Sequence, residues 1–364
     1  MPIRSIDILN VMAFERHWRA NKTTAQNNKS AERYGDGFHM AFSDKINVII
    51  GENGVGKTTL LKMIYAATQW SIEQTDEGKT KQLLHYFSDH LKDSNLLKSS
   101  NHQNEYCYFR VSDGKHTFEY SLSHERLVGN KQWAGVNIPS VFIPTMEMLS
   151  HSRGFLAMNQ KYSMPFDGTQ VDIIVNASLP ETKELSPIME KTLDKLSSII
   201  DGRVVQKDDI FYVEKKDGRL VDFSLEAEGY RKLGLLWKLI RNGLLEPGTV
   251  LLWDEPEANL NPELYPVVAE ILLELAQNDV QIFVATHSYS FAKYLEIRRK
   301  SEEQVVFHNL YRGSEELPDG LKKLIENENE VPSVCSASAA RLEDLPNNPI
   351  MKADNKLLDE VFNL

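Results

Sequence analysis

The stretch NVIIGENGVGKTTLLK, residues 47–62, places Gly51, Gly54 and Gly56 between an apolar run and a segment with helical character. Three glycines so close together would weaken a helix or a strand, so the stretch reads as a loop that needs unusual backbone angles. From Gly51 to Thr58 the residues G-E-N-G-V-G-K-T fit G-x-x-x-x-G-K-[ST], the pattern of a phosphate-binding loop. Its flanks agree. INVII reads as a buried strand, and residues 58–68 as a helix with Leu60, Leu61, Ile64 and Tyr65 on one face. In such a loop backbone N–H groups converge on phosphate oxygens at a helix N-terminus, a lysine reaches the β- and γ-phosphates, and a hydroxyl ligates Mg²⁺. The expected nucleotide contacts are therefore Asn53, Gly54, Val55, Gly56, Lys57, Thr58 and Thr59, with Thr58 also a metal ligand and Lys57 counted with the catalytic groups.

Phosphate chemistry also requires a carboxylate for the metal and a group to activate water. TVLLWDEPEANLNP, residues 249–262, offers both, because its apolar strand ends in Asp254 and Glu255. At a strand terminus two adjacent carboxylates can be aimed separately: Asp254 at Mg²⁺, Glu255 at the attacking water as general base. A helix cap with a first-turn acid would look the same in isolation. In FVATHS, residues 283–288, His287 ends the next strand, where it could hydrogen-bond a γ-phosphate and so tell ATP from ADP.

The totals permit an enzyme and exclude some alternatives. The chain has 364 residues, enough for two or three lobes, and 41 basic against 52 acidic side chains give a net charge of −11. That balance is not built to attract polyanions, so a dense nucleic-acid-binding stripe is not expected, although a local groove stays open. No apolar run approaches the roughly 20 residues of a membrane span. Cys107 and Cys335 have no metal-spaced neighbours and read as packing residues of a reduced, cytoplasmic protein.

Elsewhere strands are expected over 3–13, 37–50, 105–122 and up to Ile143, with a loose hairpin across the polar residues 21–37 and a helical patch over 81–92. Residues 151–168 read as a loop, followed by helices around VDIIVNAS and PIMEKTLDKLSSII. A hairpin with a Lys-Asp-Gly turn follows over 203–223. Residues 226–242 form an amphipathic helix, and a β/α alternation runs to the strand 304–311. The tail from about 327 reads as largely irregular before a short final helix. No long heptad run supports a coiled-coil arm.

Lys57 and Asp254 lie about 200 residues apart, so a large insertion separates the two halves of the site. With its INVIIGENGVGKTTLLK, VFIPTMEMLS, LEAEGYRKLGLLWKLIRNGLLEPG, LLWDEPEANLNPELYP and FVATHS segments, the sequence resembles the non-transporter ABC-type ATPases. It looks most like stand-alone bacterial members labelled as AAA-family ATPases and related to chromosome-maintenance, DNA-repair and overcoming-lysogenization-defect ATPases. The resemblance implies an α/β P-loop NTPase fold: an ABC-ATPase head with a β-rich layer, a mostly parallel core sheet and an inserted helical lobe. The implied divisions are 1–145 and 226–312 for the two parts of the head, 146–225 for the insert and 313–364 for a tail. It also implies ATP and Mg²⁺ as cofactors and a homodimer that sandwiches two nucleotides, with Gly229 and Arg231 of one subunit closing on the γ-phosphate of the other.

Ala227 stands where the family carries a serine, and Asn261 where it carries an aspartate. Arg231 or Lys232 could supply the missing contact, or both could belong to a solvated basic turn. Glu147 occupies the glutamine-loop position, as a metal-side group or a surface carboxylate. The function expected is an ATPase switch or motor gating a separately encoded effector such as a nuclease or toxin, in anti-phage defence or DNA maintenance. An ATP-binding scaffold with negligible hydrolysis is the alternative. A transporter subunit would carry an intact Leu-Ser-Gly-Gly-Gln stretch, which is absent. Nucleic acid remains a possible partner, and no membrane is expected.

Overall fold

The computed structural model describes residues 2–15, 37–72, 80–88, 94–99, 105–123, 126–127, 133–162, 164–312 and 334–362. Through these the chain runs β1 (Ser5–Leu9), β2 (Phe38–Ala41), β3 (Ile46–Gly51), α1 (Lys57–Ile72), α2 (Thr80–His85), β4 (Tyr108–Ser112), β5 (Thr117–Ser121), β6 (Arg126–Leu127) and β7 (Ser140–Ile143). The middle holds α3 (Phe155–Tyr162), α4 (Gly168–Ala177), α5 (Pro187–Ile199), β8 (Gly202–Lys207), β9 (Ile210–Lys215) and β10 (Leu220–Asp222). Then come α6 (Glu228–Arg241), β11 (Val250–Asp254), α7 (Tyr265–Gln277), β12 (Gln281–Ala285), α8 (Tyr289–Arg298), β13 (Val305–Arg312), β14 (Val334–Ala339) and α9 (Pro349–Phe362).

The core is a six-stranded sheet in the order β14-β13-β3-β12-β11-β7, parallel except for β14. β3, β11 and β12 are buried along their whole length, which is why they read as continuous apolar runs rather than alternating ones. Period-two alternation still divides their side chains. Ile46, Val48, Ile50, Leu251, Trp253, Ile282 and Val284 face the cluster built with α5 to α8. Ile49, Leu252, Phe283 and Ala285 face α1 and the antiparallel layer β2-β1-β4-β5-β6. The expected α/β head, with a β-rich layer beside a mostly parallel sheet, is the fold observed.

Four local expectations are corrected. The strand expected over 3–13 stops at Leu9. Asn10 and Met12 take left-handed backbone (φ 54° and 50°), and the Val11 and Phe14 backbones exchange two hydrogen bonds across a tight turn. The hairpin over 203–223 is part of a three-stranded sheet, β10-β9-β8: the Lys-Asp-Gly turn joins β9 to β10 as expected, and a further turn at Asp208-Asp209, both at positive φ (47° and 62°), joins β8 to β9. Part of the expected loop 151–168 is α3, a helix without a readable apolar stripe because Phe155 is its only fully buried residue. The irregular tail contains β14, whose small residues VCSASA carry no strand signal, and which pairs along all of Phe307–Arg312. Of the helical patch 81–92, α2 ends at His85 and residues 89–92 lie outside the described set; the hairpin expected over 21–37 lies almost wholly outside it. No described helix is long and apolar enough to cross a membrane.

Two ties fasten the middle segment to the helix that follows the glycine loop. Lys62 Nζ donates to Asp167 Oδ2 at 2.7 Å, and the buried Tyr65 hydroxyl donates to Asp172 Oδ2 at 2.7 Å, both carboxylates lying on or capping α4.

On β13 the fully buried His308 lies between Ser338 Oγ on β14 (2.7 Å from Nδ1) and Asn47 Oδ1 on β3 (3.1 Å from Nε2). Burial pushes its pKa down to about 4, so the ring is neutral, donating from Nε2 and accepting the Ser338 hydroxyl at Nδ1. Between pH 6.5 and 4 the unfolded chain binds a proton at this site that the folded chain refuses. Stability is therefore lost as pH falls through that window, by about 3 kcal/mol at its acid end. Urea unfolding at pH 7 and pH 4.5 is expected to show a smaller acid loss for His308→Gln than for the wild type. Equal losses would remove His308 as the cause.

Candidate functional site

The site forms at the C-terminal ends of β3, β11 and β12, where a parallel sheet leaves a crevice. β3 delivers the glycine loop and α1 leaves from it. Gly56 has φ 93°, and a Cβ there would stand 2.7 Å and 2.9 Å from two ring carbons of the buried Phe14, so no other residue fits. Lys57 folds back over its own loop, with Nζ donating to the Gly51 and Glu52 carbonyls at 2.9 Å each. Burial pulls its pKa down to about 8, against the opposing fields of Asp254, Glu255 and Glu257.

β11 delivers the carboxylates. The Thr58 hydroxyl donates to Asp254 Oδ2 at 2.9 Å, and the Thr145 hydroxyl donates to the same oxygen at 3.1 Å. Burial raises the Asp254 pKa while these two hydrogen bonds oppose it. Glu255 takes left-handed backbone (φ 50°), with its N–H on the Ala285 carbonyl at 2.9 Å and its carbonyl accepting Lys232 Nζ at 3.0 Å. An L-residue held there costs on the order of 1–3 kcal/mol, a strain characteristic of functional positions. His287 closes the group, with Nε2 3.4 Å from Glu255 Oε1 and Nδ1 3.5 Å from Lys57 Nζ. Desolvation, helped by Lys57, lowers its pKa and keeps the ring neutral near pH 7.

These groups border an open cleft of about 580 Å³, lined by Asn53, Gly54, Gly56, Lys57, Thr58, Thr59, Glu255 and His287. Val55 is buried beneath the loop rather than in the cleft wall. The opposite wall was not anticipated: Met12 and Ala13 of the turn after β1, with Leu96, Lys98 and Ser99. Phe14 under Gly56 and the Met12 N–H on the Leu97 carbonyl at 2.8 Å hold that turn in place, and no motif marks it.

Gly229 and Arg231 do not line this cleft. Gly229 is buried at the start of α6 against the 259–260 loop, where a Cβ would meet Leu260 Cδ1 at 3.1 Å. Arg231 is turned toward Glu147, with Nη1 3.4 Å from Oε2. Lys232 is almost fully buried and its ammonium sits on the Glu255 carbonyl, so neither cation belongs to a solvated turn. Glu147 is no surface carboxylate; it is buried, accepting backbone N–H groups of Leu149 and Ser150, and Thr145 is the residue of that segment that touches Asp254. The other residue sequence reasoning overlooked is Glu257, buried behind His287.

A family model described as "AAA domain, putative AbiEii toxin, Type IV TA system" matches residues 144–292, and an ABC transporter model matches residues 40–125. The L-cystine import ATP-binding protein TcyN of Bacillus subtilis (strain 168) is 26% identical over 161 residues, covering 37% of this chain and 58% of that protein, less than two thirds of its length. Among solved structures, the SMC head bound to the C-winged helix domain of ScpA aligns over 93% of this chain and 98% of its own at 12% identity and a TM-score of 0.48. The SMC head domain from Thermotoga maritima covers 85% and 95% at 16% identity, with a TM-score of 0.42.

Proposed function

We propose that this chain, an ATPase of the ABC/AAA type, is a switch in which two copies close on ATP and reopen after hydrolysis, gating a separate effector. The observation that carries this reading is a site divided in two. Lys57, Thr58, Glu255 and His287 line one open cleft, with Asp254 buried behind Thr58, whereas the segment from Ala227 to Arg231, with its exposed Tyr230 and the exposed Leu225 before it, lies outside. A second copy could bring that segment over the cleft. Within it, Ala227 makes no side-chain cap at the start of α6, so the helix N-terminus itself is the group available to a phosphate.

Mg²⁺ fits the donors present. Thr58 and Asp254 offer hard oxygen atoms 2.9 Å apart, and they would hold the ion together with phosphate oxygens. When bound, it neutralises charge on the phosphates being separated. Glu255 accepts the proton of the attacking water, Lys57 draws charge from the β- and γ-phosphates, and His287 hydrogen-bonds the γ-phosphate that distinguishes ATP from ADP.

The description of one matching family model names a toxin–antitoxin system, which supports a toxin as the gated effector; a nuclease effector and a place in anti-phage defence rest on the resemblance read in the sequence. The missing hydroxyl at position 227 favours a second reading, a scaffold that binds ATP and hydrolyses little. ATP turnover per mole of protein, measured across protein concentrations, decides between them. The switch gives a specific activity that climbs with concentration as copies pair, and a low, concentration-independent rate would establish the scaffold.

A further inference from the structure

We infer that Glu257 is a positioning residue that holds His287 for the γ-phosphate and ties it to the loop a second copy would meet; this rests on the ATPase switch proposed above. Glu257 lies two residues beyond Glu255, but its side chain is buried and reaches the turn between β12 and α8. Its Oε1 accepts the Thr286 hydroxyl at 2.5 Å, the His287 N–H at 2.9 Å and the Ser288 N–H at 3.2 Å. Two consecutive N–H groups on one anionic oxygen fix the backbone on which the imidazole is mounted. Ser288 then caps α8 by accepting the Phe291 N–H at 3.1 Å.

The other carboxylate oxygen, Oε2, is buried without a hydrogen-bond partner. Leaving this buried oxygen unanswered costs on the order of 1–3 kcal/mol and adds nothing to stability, and burial raises the Glu257 pKa accordingly. The remainder of the loop explains the placement. The Leu260 N–H donates to the Glu257 carbonyl at 3.0 Å, Leu260 packs on Gly229, and the left-handed Asn259 donates to Glu228 Oε1 at 2.7 Å. Contacts thus run unbroken from the start of α6 through Asn259, Leu260 and Glu257 to His287. A shift of α6 on closure reaches the phosphate sensor by this route.

Glu257→Gln and Glu257→Ala, made in the full chain, test the inference by ATP turnover, by ATP and ADP affinities and by thermal unfolding. The glutamine oxygen still accepts all three donors, so that variant is expected to keep kcat within about fivefold, whereas alanine lowers kcat about 30- to 100-fold with little change in KM. Alanine should also shrink the preference for ATP over ADP by about tenfold, an effect that lost folding stability alone does not produce. Glutamine as inactive as alanine would make the carboxylate a participant in proton transfer and overturn the positioning role. A lowered melting temperature with kcat and the ATP-to-ADP preference unchanged would reduce Glu257 to a packing residue and equally overturn it. In either case an active wild type leaves the ATPase switch standing; a wild type with no turnover and no preference for ATP removes the switch itself.

Discussion

Glu255→Gln is expected to lower ATP turnover by about 10³-fold while ATP affinity stays within a few-fold of wild type. The substitution removes a proton acceptor and little else. The strained backbone of Glu255 is held from outside its side chain, by the Ala285 carbonyl and the Lys232 ammonium, so a glutamine occupies the same place at the end of β11. His287 keeps a hydrogen-bonding atom opposite, 3.4 Å away in the native arrangement. Light scattering with ATP and Mg²⁺ should then show the variant trapped at the mass of two copies, since closure no longer leads to cleavage. Unchanged turnover would take Glu255 out of the chemistry, and a mass indifferent to nucleotide would show that the α6 segment has no role in trans.

The second large effect belongs to Lys57→Met. ATP affinity should fall about 100-fold or more, the scale on which a desolvated charge-assisted contact to phosphate is lost. The same substitution should steady the nucleotide-free protein. The folded value of about 8 lies below the ordinary lysine value of 10.5, so between those values the unfolded chain holds a proton that the folded chain has released. Wild-type stability therefore rises as pH climbs from 8 to 10.5, by up to about 3 kcal/mol, and at neutral pH the buried ammonium is a cost of that order. The change in unfolding free energy from pH 7.5 to pH 10 should be more positive in the wild type than in the variant, which lacks the Lys57 contribution. A variant that binds ATP normally, or that shows the same slope, would contradict the role given to Lys57.

Which features could be read before the fold was known depended on how locally each is encoded. The glycine loop, β11 and β12 were legible because a phosphate loop and a buried strand are written in consecutive residues. His287 and the Asp254–Glu255 pair were legible because each ends such a strand. Residues that act through contacts distant in sequence were not. Glu257 reads as one more acid in a polar loop until His287 folds against it, and Thr145 reads as a polar residue after a strand until Asp254 arrives beside it. Glu147 was the more conspicuous candidate in that segment because it carries a charge, yet its charge is spent on neighbouring backbone and on Arg231. β14 escaped notice because serine and alanine on an edge strand carry almost no hydrophobic pattern, its pairing being specified by β13.

The position of β3 also governs when the site can come into being during synthesis. Both neighbours of this wholly buried strand arrive late: Ile282, on one side, follows Asn47 by 235 residues, and His308, on the other, follows it by 261. At translation rates of about 5–20 residues per second, the strand that carries the phosphate loop waits on the order of 10–50 seconds for its partners. Throughout that interval INVIIG is an unpaired apolar segment, and closing it into the sheet requires contacts of high sequence separation, which form slowly. A nascent chain is therefore nucleotide-blind until β12 and β13 have left the ribosome, and its hazard during that time is adhesion to other chains rather than premature hydrolysis.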